Sequence, residues 1–164
     1  MPTPSKSTKS PISIATDTIN LLTSSNTTLS IAESLTGDAI MSTLTALPGV
    51  GSVFHGGIVA YDTPLKITAL SVDKYFVDGE GVVHPDVAAQ MARGGVRWGL
   101  ATTGVAEPGK QDGKDMGTGE GGKGGRGIGR FWFPGTREGV IEGAVGDVEG
   151  VEGVEGGLME WEGE

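Results

Sequence analysis

Glycine is spread so unevenly along this chain that it limits how much of it can pack. Ten of the 30 glycines fall in residues 1–100 and 20 in residues 101–164. Glycine loses more backbone entropy on ordering than any other residue, so the second stretch is poorly suited to a side-chain core. Charge divides at the same place. Residues 1–108 hold 6 basic and 9 acidic groups, whereas residues 136–164 hold Arg137 against 9 acidic groups. The expected organisation is therefore a short, disordered N-terminus over 1–9, a globular domain over 10–108, and a Gly-rich, acidic low-complexity tail over 109–164. Within that tail Phe131-Trp132-Phe133 marks one more strand, near 130–134. Val148-Glu149-Gly150 then recurs as Val151-Glu152-Gly153 and Val154-Glu155-Gly156, a repeat with no proline and too short for collagen.

Hydrophobic spacing supplies the elements of the globular part. Ser10-Pro11 reads as an N-cap and first turn, followed by Ile12, Ala15, Ile19 and Leu22 at helical spacing. Thr27–Glu33 alternates as a short strand. Ala39–Leu47 is a second helix, ended by Pro48-Gly49. Gly56–Tyr61 reads as a buried strand, Thr63–Leu70 as a short helix, Pro85–Arg97 as a long helix and Leu100–Thr103 as a strand. Strands alternating with helices give an α/β layer fold.

Composition excludes several functions. The formal charge of -9 argues against nucleic acid or an anionic membrane as partner. The absence of cysteine removes disulfides, thiolate metal sites and a cysteine nucleophile. No apolar run approaches the ~20 residues of a membrane span, and the N-terminus lacks a signal-peptide apolar region, so a cytoplasmic protein is expected. His55 and His84 are the only histidines and are expected at the surface or in turns; no metal site is expected. Gly117–Gly122 fits G-x-G-x-x-G, but no strand leads in and no helix follows, so it reads as a chance match in a glycine tract.

The informative segment is Ala32-Glu33-Ser34-Leu35-Thr36-Gly37, where a strand gives way to a helix. A serine there is exposed beside free backbone N–H groups, which suits a nucleophile with an oxyanion or anion site. The plain alternative is a helix cap. Lys66, in the short helix after Tyr61, is the residue able to act as base if burial lowers its pKa from about 10.4; Ser-Lys pairs are an established substitute for Ser-His-Asp. The plain alternative for Lys66 is a solvated helix position.

These residues, with Pro48-Gly49, Ser52-Val53-Phe54, Gly56-Gly57-Ile58-Val59-Ala60-Tyr61 and Thr103-Gly104-Val105-Ala106 before Pro108, occur in an order that resembles the CinA C-terminal domain family. The resemblance covers about residues 10–108. It implies a three-layer α/β/α sandwich, incomplete at its C-terminal end here, and nicotinamide mononucleotide deamidase activity with no cofactor. It implies Ser34 as nucleophile, Lys66 as catalytic lysine and Tyr61 as active-site tyrosine. Thr36, Gly37, Thr103, Gly104 and Ala106 are implied to line the substrate pocket. The chain differs from the family pattern at Asp38 and Glu107, both glycine in the family, and in Val148, which stands where the family has arginine. Asp38 is expected in the first turn of the second helix, competing with a substrate phosphate for that helix's free N–H groups. Two readings follow: an amidohydrolase acting on a small molecule, or a degenerate relative without catalysis that keeps only a binding role or none. A short core with an incomplete sheet would also gain from assembly into a homo-oligomer.

Overall fold

The computed structural model describes residues 10–93, 98–106, 108–123 and 128–132. The chain starts with helix α1 (Pro11–Ser24), capped by the Ser10 side chain, which accepts from the Ser13 N–H at 3.2 Å. Strand β1 (Leu29–Glu33), helix α2 (Ala39–Thr45), a single 3-10 turn at Val50–Ser52 and strand β2 (Phe54–Val59) follow. Three helices come next: α3 (Thr63–Leu70), α4 (Lys74–Glu80) and α5 (Pro85–Arg93). Strand β3 (Trp98–Gly104), a small hairpin of β4 (Lys110–Gln111) and β5 (Lys114–Asp115), and strands β6 (Thr118–Lys123) and β7 (Ile128–Trp132) complete the described chain.

Five strands form one sheet in the order β2-β1-β3-β6-β7. β1 runs parallel to both neighbours, while β6 is antiparallel to β3 and β7. Alternation along β1 explains the layers. Leu29 and Ile31 point to one side, where Ala15, Ile19 and Leu22 of α1 and Ile40 and Leu44 of α2 bury them. Ala32 points to the other side, with Ala101 of β3, and meets Leu70, Val77, Val87 and Met91 of α3, α4 and α5. The result is an α/β sandwich with two apolar cores, one on each face of the sheet. Bulging at His55 shifts the β1–β2 register between Leu29 and Ser30, so Phe54 faces the α1 side while Ile58 faces the other. His55 is exposed, whereas His84 sits half-buried just before α5, its Nδ1 accepting from the Asp86 N–H at 3.1 Å.

The helices and strands expected up to Thr103 are present, with shifted ends, but β2, expected to be buried, is an edge strand whose residues are alternately exposed. α2 stops at Thr45, and β2 begins at Phe54 and ends before Ala60. Residues 94–97, where the helix from Pro85 was expected to continue, lie outside the described residues, as do 1–9, Glu107 and the whole repeat after Val148. The largest difference follows Pro108. The glycine tract expected not to pack supplies β6, joined to β3 from Leu100↔Lys123 to Gly104↔Gly119. Gly117–Gly122 is therefore a turn and a strand, not a loop around a phosphate. Strand pairing uses backbone groups that glycine retains, and the absence of a side chain at Gly104 of β3 lets β6 approach closely there. A Cβ on Gly104 would lie 2.6 Å from the Thr118 carbonyl oxygen. The strand expected near 130–134 lies at Ile128–Trp132.

Candidate active site

Three parallel strands bring their C-terminal ends side by side, the end at which open α/β sheets commonly carry ligands. Backbone bonds continue past the strands and fix the tips together. The Ser34 N–H donates to the Thr102 carbonyl at 3.0 Å and the Ala60 N–H to the Glu33 carbonyl at 2.8 Å. Ser34, directly after β1, is thus held beside the end of β3, and Ala60-Tyr61, directly after β2, lie on its other side.

The turn that carries Ser34 is closed by its own bonds. The Gly37 N–H donates to the Ser34 carbonyl at 3.2 Å and the Ala39 N–H to the Thr36 carbonyl at 3.1 Å. Gly37 has φ +70°, a left-handed conformation that glycine adopts without the Cβ penalty. Ser34 is buried. Thr36 is buried with its Oγ1 2.8 Å from Thr102 Oγ1.

Lys66 lies in α3, and its side chain is 2 % exposed, unlike a solvated helix residue. Its Nζ donates to the Tyr61 backbone oxygen at 2.9 Å. α3 therefore folds the ammonium back to the sheet end that bears Ser34. Burial lowers the Lys66 pKa to about 8, with nearby Asp62 opposing the shift. Tyr61 is connected to Lys66 by its carbonyl, and its residue surface is 50 % exposed.

The other pocket candidates are largely taken up by the fold. Thr103 is buried and its hydroxyl donates to the Val82 carbonyl at 3.0 Å. Gly104 allows contact with Thr118, Gly119 and Leu35, and Ala106 packs in the α1-side core. A cavity of about 260 Å³ opens on the opposite face of the sheet, lined by Ser30, Ala32, Gly56, Ile58, Leu70 and Met91 among others. It shares no residue with the Ser34 turn.

Asp38 is not in the first turn of α2 but is its N-cap, and its side chain makes no capping bond. The N–H groups expected to receive a phosphate are already satisfied. Those of Ile40 and Met41 donate to the Glu33 carboxylate, at 3.1 Å to Oε2 and 2.8 Å to Oε1, and that of Ser42 donates to the Asp38 carbonyl at 2.8 Å. The expectation of a phosphate on this helix end is thereby corrected: a strand carboxylate fills it. Glu33 is fully buried. Burial pushes its pKa above the usual value, against hydrogen bonds from the Thr36 side chain, Met41 and Ile40; the Asp38 charge pushes it up further. Sequence reasoning passed over Glu33, Thr102 and Asp112. For Glu33 a signal existed: it continues the inward series Leu29, Ile31 as a carboxylate immediately before Ser34. Thr102 and Asp112 offered none, since their partners lie 66 and 30 residues away.

The family model for the CinA C-terminal domain matches residues 12–148. This chain belongs to the CinA family. Among curated relatives, a CinA-like protein of Frankia casuarinae is 45% identical over 105 residues, covering 61% of this chain and 24% of its own length. A CinA-like protein of Trichodesmium erythraeum is 42% identical over 102 residues, covering 59% and 24%. The matched stretch is thus about a quarter of those CinA-like relatives. The fold is shared with the competence damage-inducible protein A of Klebsiella pneumoniae, at TM-score 0.82 and 23% identity over 86% of this chain and 93% of that one. An Escherichia coli CinA superfamily protein aligns with TM-score 0.79 and 26% identity, over 85% and 87%. Among the described residues of this CinA domain, no helix is long and apolar enough to cross a membrane, and no group of three or more acidic or histidine side chains could hold a metal ion.

Proposed function

We propose that the chain is a cytoplasmic amidohydrolase of the nicotinamide mononucleotide deamidase type, converting the nicotinamide carboxamide to nicotinate mononucleotide and ammonia. The observation that carries this reading is Lys66: a buried amine with a pKa lowered to about 8, at the sheet end where Ser34 emerges. A general base must be partly neutral at working pH, and burial provides that here. Ser34 Oγ attacks the carboxamide carbon while Lys66 Nζ takes the hydroxyl proton. The C–N bond breaks as that proton passes to the leaving nitrogen, which departs as ammonia. Water then cleaves the acyl-Ser34 ester, with Lys66 again as base, and releases the carboxylate. Tyr61 contributes through its backbone carbonyl, which fixes the Lys66 amine. Of the expected pocket residues, the Thr36-Gly37 turn is the part that adjoins Ser34 along the chain, while Thr103, Gly104 and Ala106 act through the packing that holds this sheet end.

Incubation of the purified chain with nicotinamide mononucleotide, followed by ammonia release, tests this directly. Ser34→Ala should lower the rate by several orders of magnitude with far-UV circular dichroism unchanged. A variant retaining a tenth or more of the rate would make Ser34 a turn residue only. A folded wild-type chain that releases no ammonia would favour the second reading, a non-catalytic relative. Asp38, an acidic residue where the family has glycine, supports that reading.

A further inference from the structure

Glu33 spends a costly resource. It is a carboxylate with no exposed surface, in a strand whose other side chains on that face are aliphatic. Its two oxygens each accept one backbone N–H of α2, from Ile40 and Met41. A third hydrogen bond comes from the Thr36 side chain, whose Oγ1 is in turn 2.8 Å from Thr102 Oγ1. The two hydroxyls share one hydrogen bond, in which either can be the donor. A chain of hydrogen bonds therefore runs from β3 through the Ser34 turn to Glu33 and on to the first turn of α2.

We infer that Glu33 is a positioning residue for Ser34, its carboxylate clamping the start of α2 to the end of β1 so that the intervening turn has one shape. This inference rests on the proposed role of Ser34 as nucleophile. Five residues, Ser34 to Asp38, separate the strand from the helix; backbone bonds, the Thr36–Thr102 hydroxyl pair and buried Leu35 tie the turn to the sheet, and the Glu33 clamp ties the helix that follows it. Asp38, the local N-cap, makes no side-chain capping bond, so nothing in the turn itself replaces Glu33. Each Glu33 oxygen accepts a different N–H of the first turn of α2, which suits a clamp on a short helix. A nucleophile displaced by about 1 Å can lose two orders of magnitude in rate.

Glu33→Gln tests the inference. Its single amide oxygen can accept one of the two N–H groups, while its NH2 opposes the other. Two measurements are made on the wild type and on this variant: deamidation of nicotinamide mononucleotide, and the rate of Ser34 labelling by an alkyl fluorophosphonate, which needs no amide substrate. The expected result is a fall of ten- to a hundredfold in kcat with KM changed less than twofold, and a matching fall in labelling rate. Faster amide exchange at Ile40 and Met41 should accompany it. Glu33→Asp keeps the charge on a shorter stem and should recover part of both rates; it also serves if Glu33→Gln does not fold. Unchanged labelling and kcat in a folded variant would overturn the positioning role, as would a wild-type Ser34 that the fluorophosphonate does not label. A wild type that is labelled at Ser34 but releases no ammonia would refute the substrate reading, while the labelling comparison would still decide the role of Glu33.

Discussion

Lys66→Met removes the amine of a residue that is 2 % exposed and should stabilise the fold at neutral pH while ending any catalysis. In the folded protein burial lowers the Lys66 pKa from 10.5 to about 8. That difference of about 2.5 pH units, at about 1.36 kcal/mol each, makes the charged lysine cost about 3 kcal/mol. The unfolded chain binds more protons than the folded one between pH 8 and 10.5. Wild-type stability should therefore rise with pH across that window; the penalty is complete below it and gone above it. Methionine carries no such penalty but gives up the hydrogen bond to the Tyr61 carbonyl, worth about 1–2 kcal/mol. The variant should be more stable than wild type by about 1–2 kcal/mol at pH 7, and equally or less stable at pH 10.5. Urea titrations of both proteins at steps from pH 7 to 10.5 measure the difference, and other titrating groups cancel in the comparison. A wild-type-minus-variant difference that stays flat within about 0.5 kcal/mol over that range would show that Lys66 is not charged at the cost of burial, and the argument for it as a base would fall with it.

Gly104→Ala should destabilise the fold by about 1–3 kcal/mol, because its Cβ would meet the Thr118 oxygen at 2.6 Å and Gly119 Cα at 2.8 Å, both backbone atoms. Thermal melting of the variant measures this, and an unchanged midpoint would mean that β6 can move aside. Asp112→Ala should cost about 1–2 kcal/mol and speed amide exchange at Val82 selectively, since Asp112 Oδ2 accepts that N–H at 2.7 Å and anchors the β4–β5 hairpin to the segment before α5. Unchanged protection at Val82 would remove the hairpin's structural role.

Up to Thr103 the fold was legible because local signals agree with tertiary placement. The Ser10 cap, the apolar spacing of α1, and the Leu29/Ile31 alternation each predict the face that the structure buries. Helix α4 was missed because Lys74–Glu80 contains Gly79 and buries only Val77, too weak a periodicity to read. β6 was missed for a different reason: its glycines form a strand through backbone bonds to β3, and side-chain patterns carry no record of such bonds. Within the site, Ser34 and Lys66 were legible as residue types at element ends. The role of Glu33 was not, because residues seven and eight places further on supply its partners and only the turn brings them round.

The composition of β6 also bears on how faithfully the sheet is assembled. Thr118-Gly119-Glu120-Gly121-Gly122-Lys123 offers few side chains by which its partner could distinguish one alignment from the next. Three of its six residues are glycine, and the backbone would bond to β3 almost equally well if displaced by one or two places. Glu120 breaks this degeneracy. It is fully buried opposite Thr103 in the observed alignment, and a displacement by one residue would turn its carboxylate to the other face of the sheet. A single acidic side chain thus carries most of the information that tells the glycine-rich half of the protein where to attach, leaving little redundancy at that joint against a change at one position.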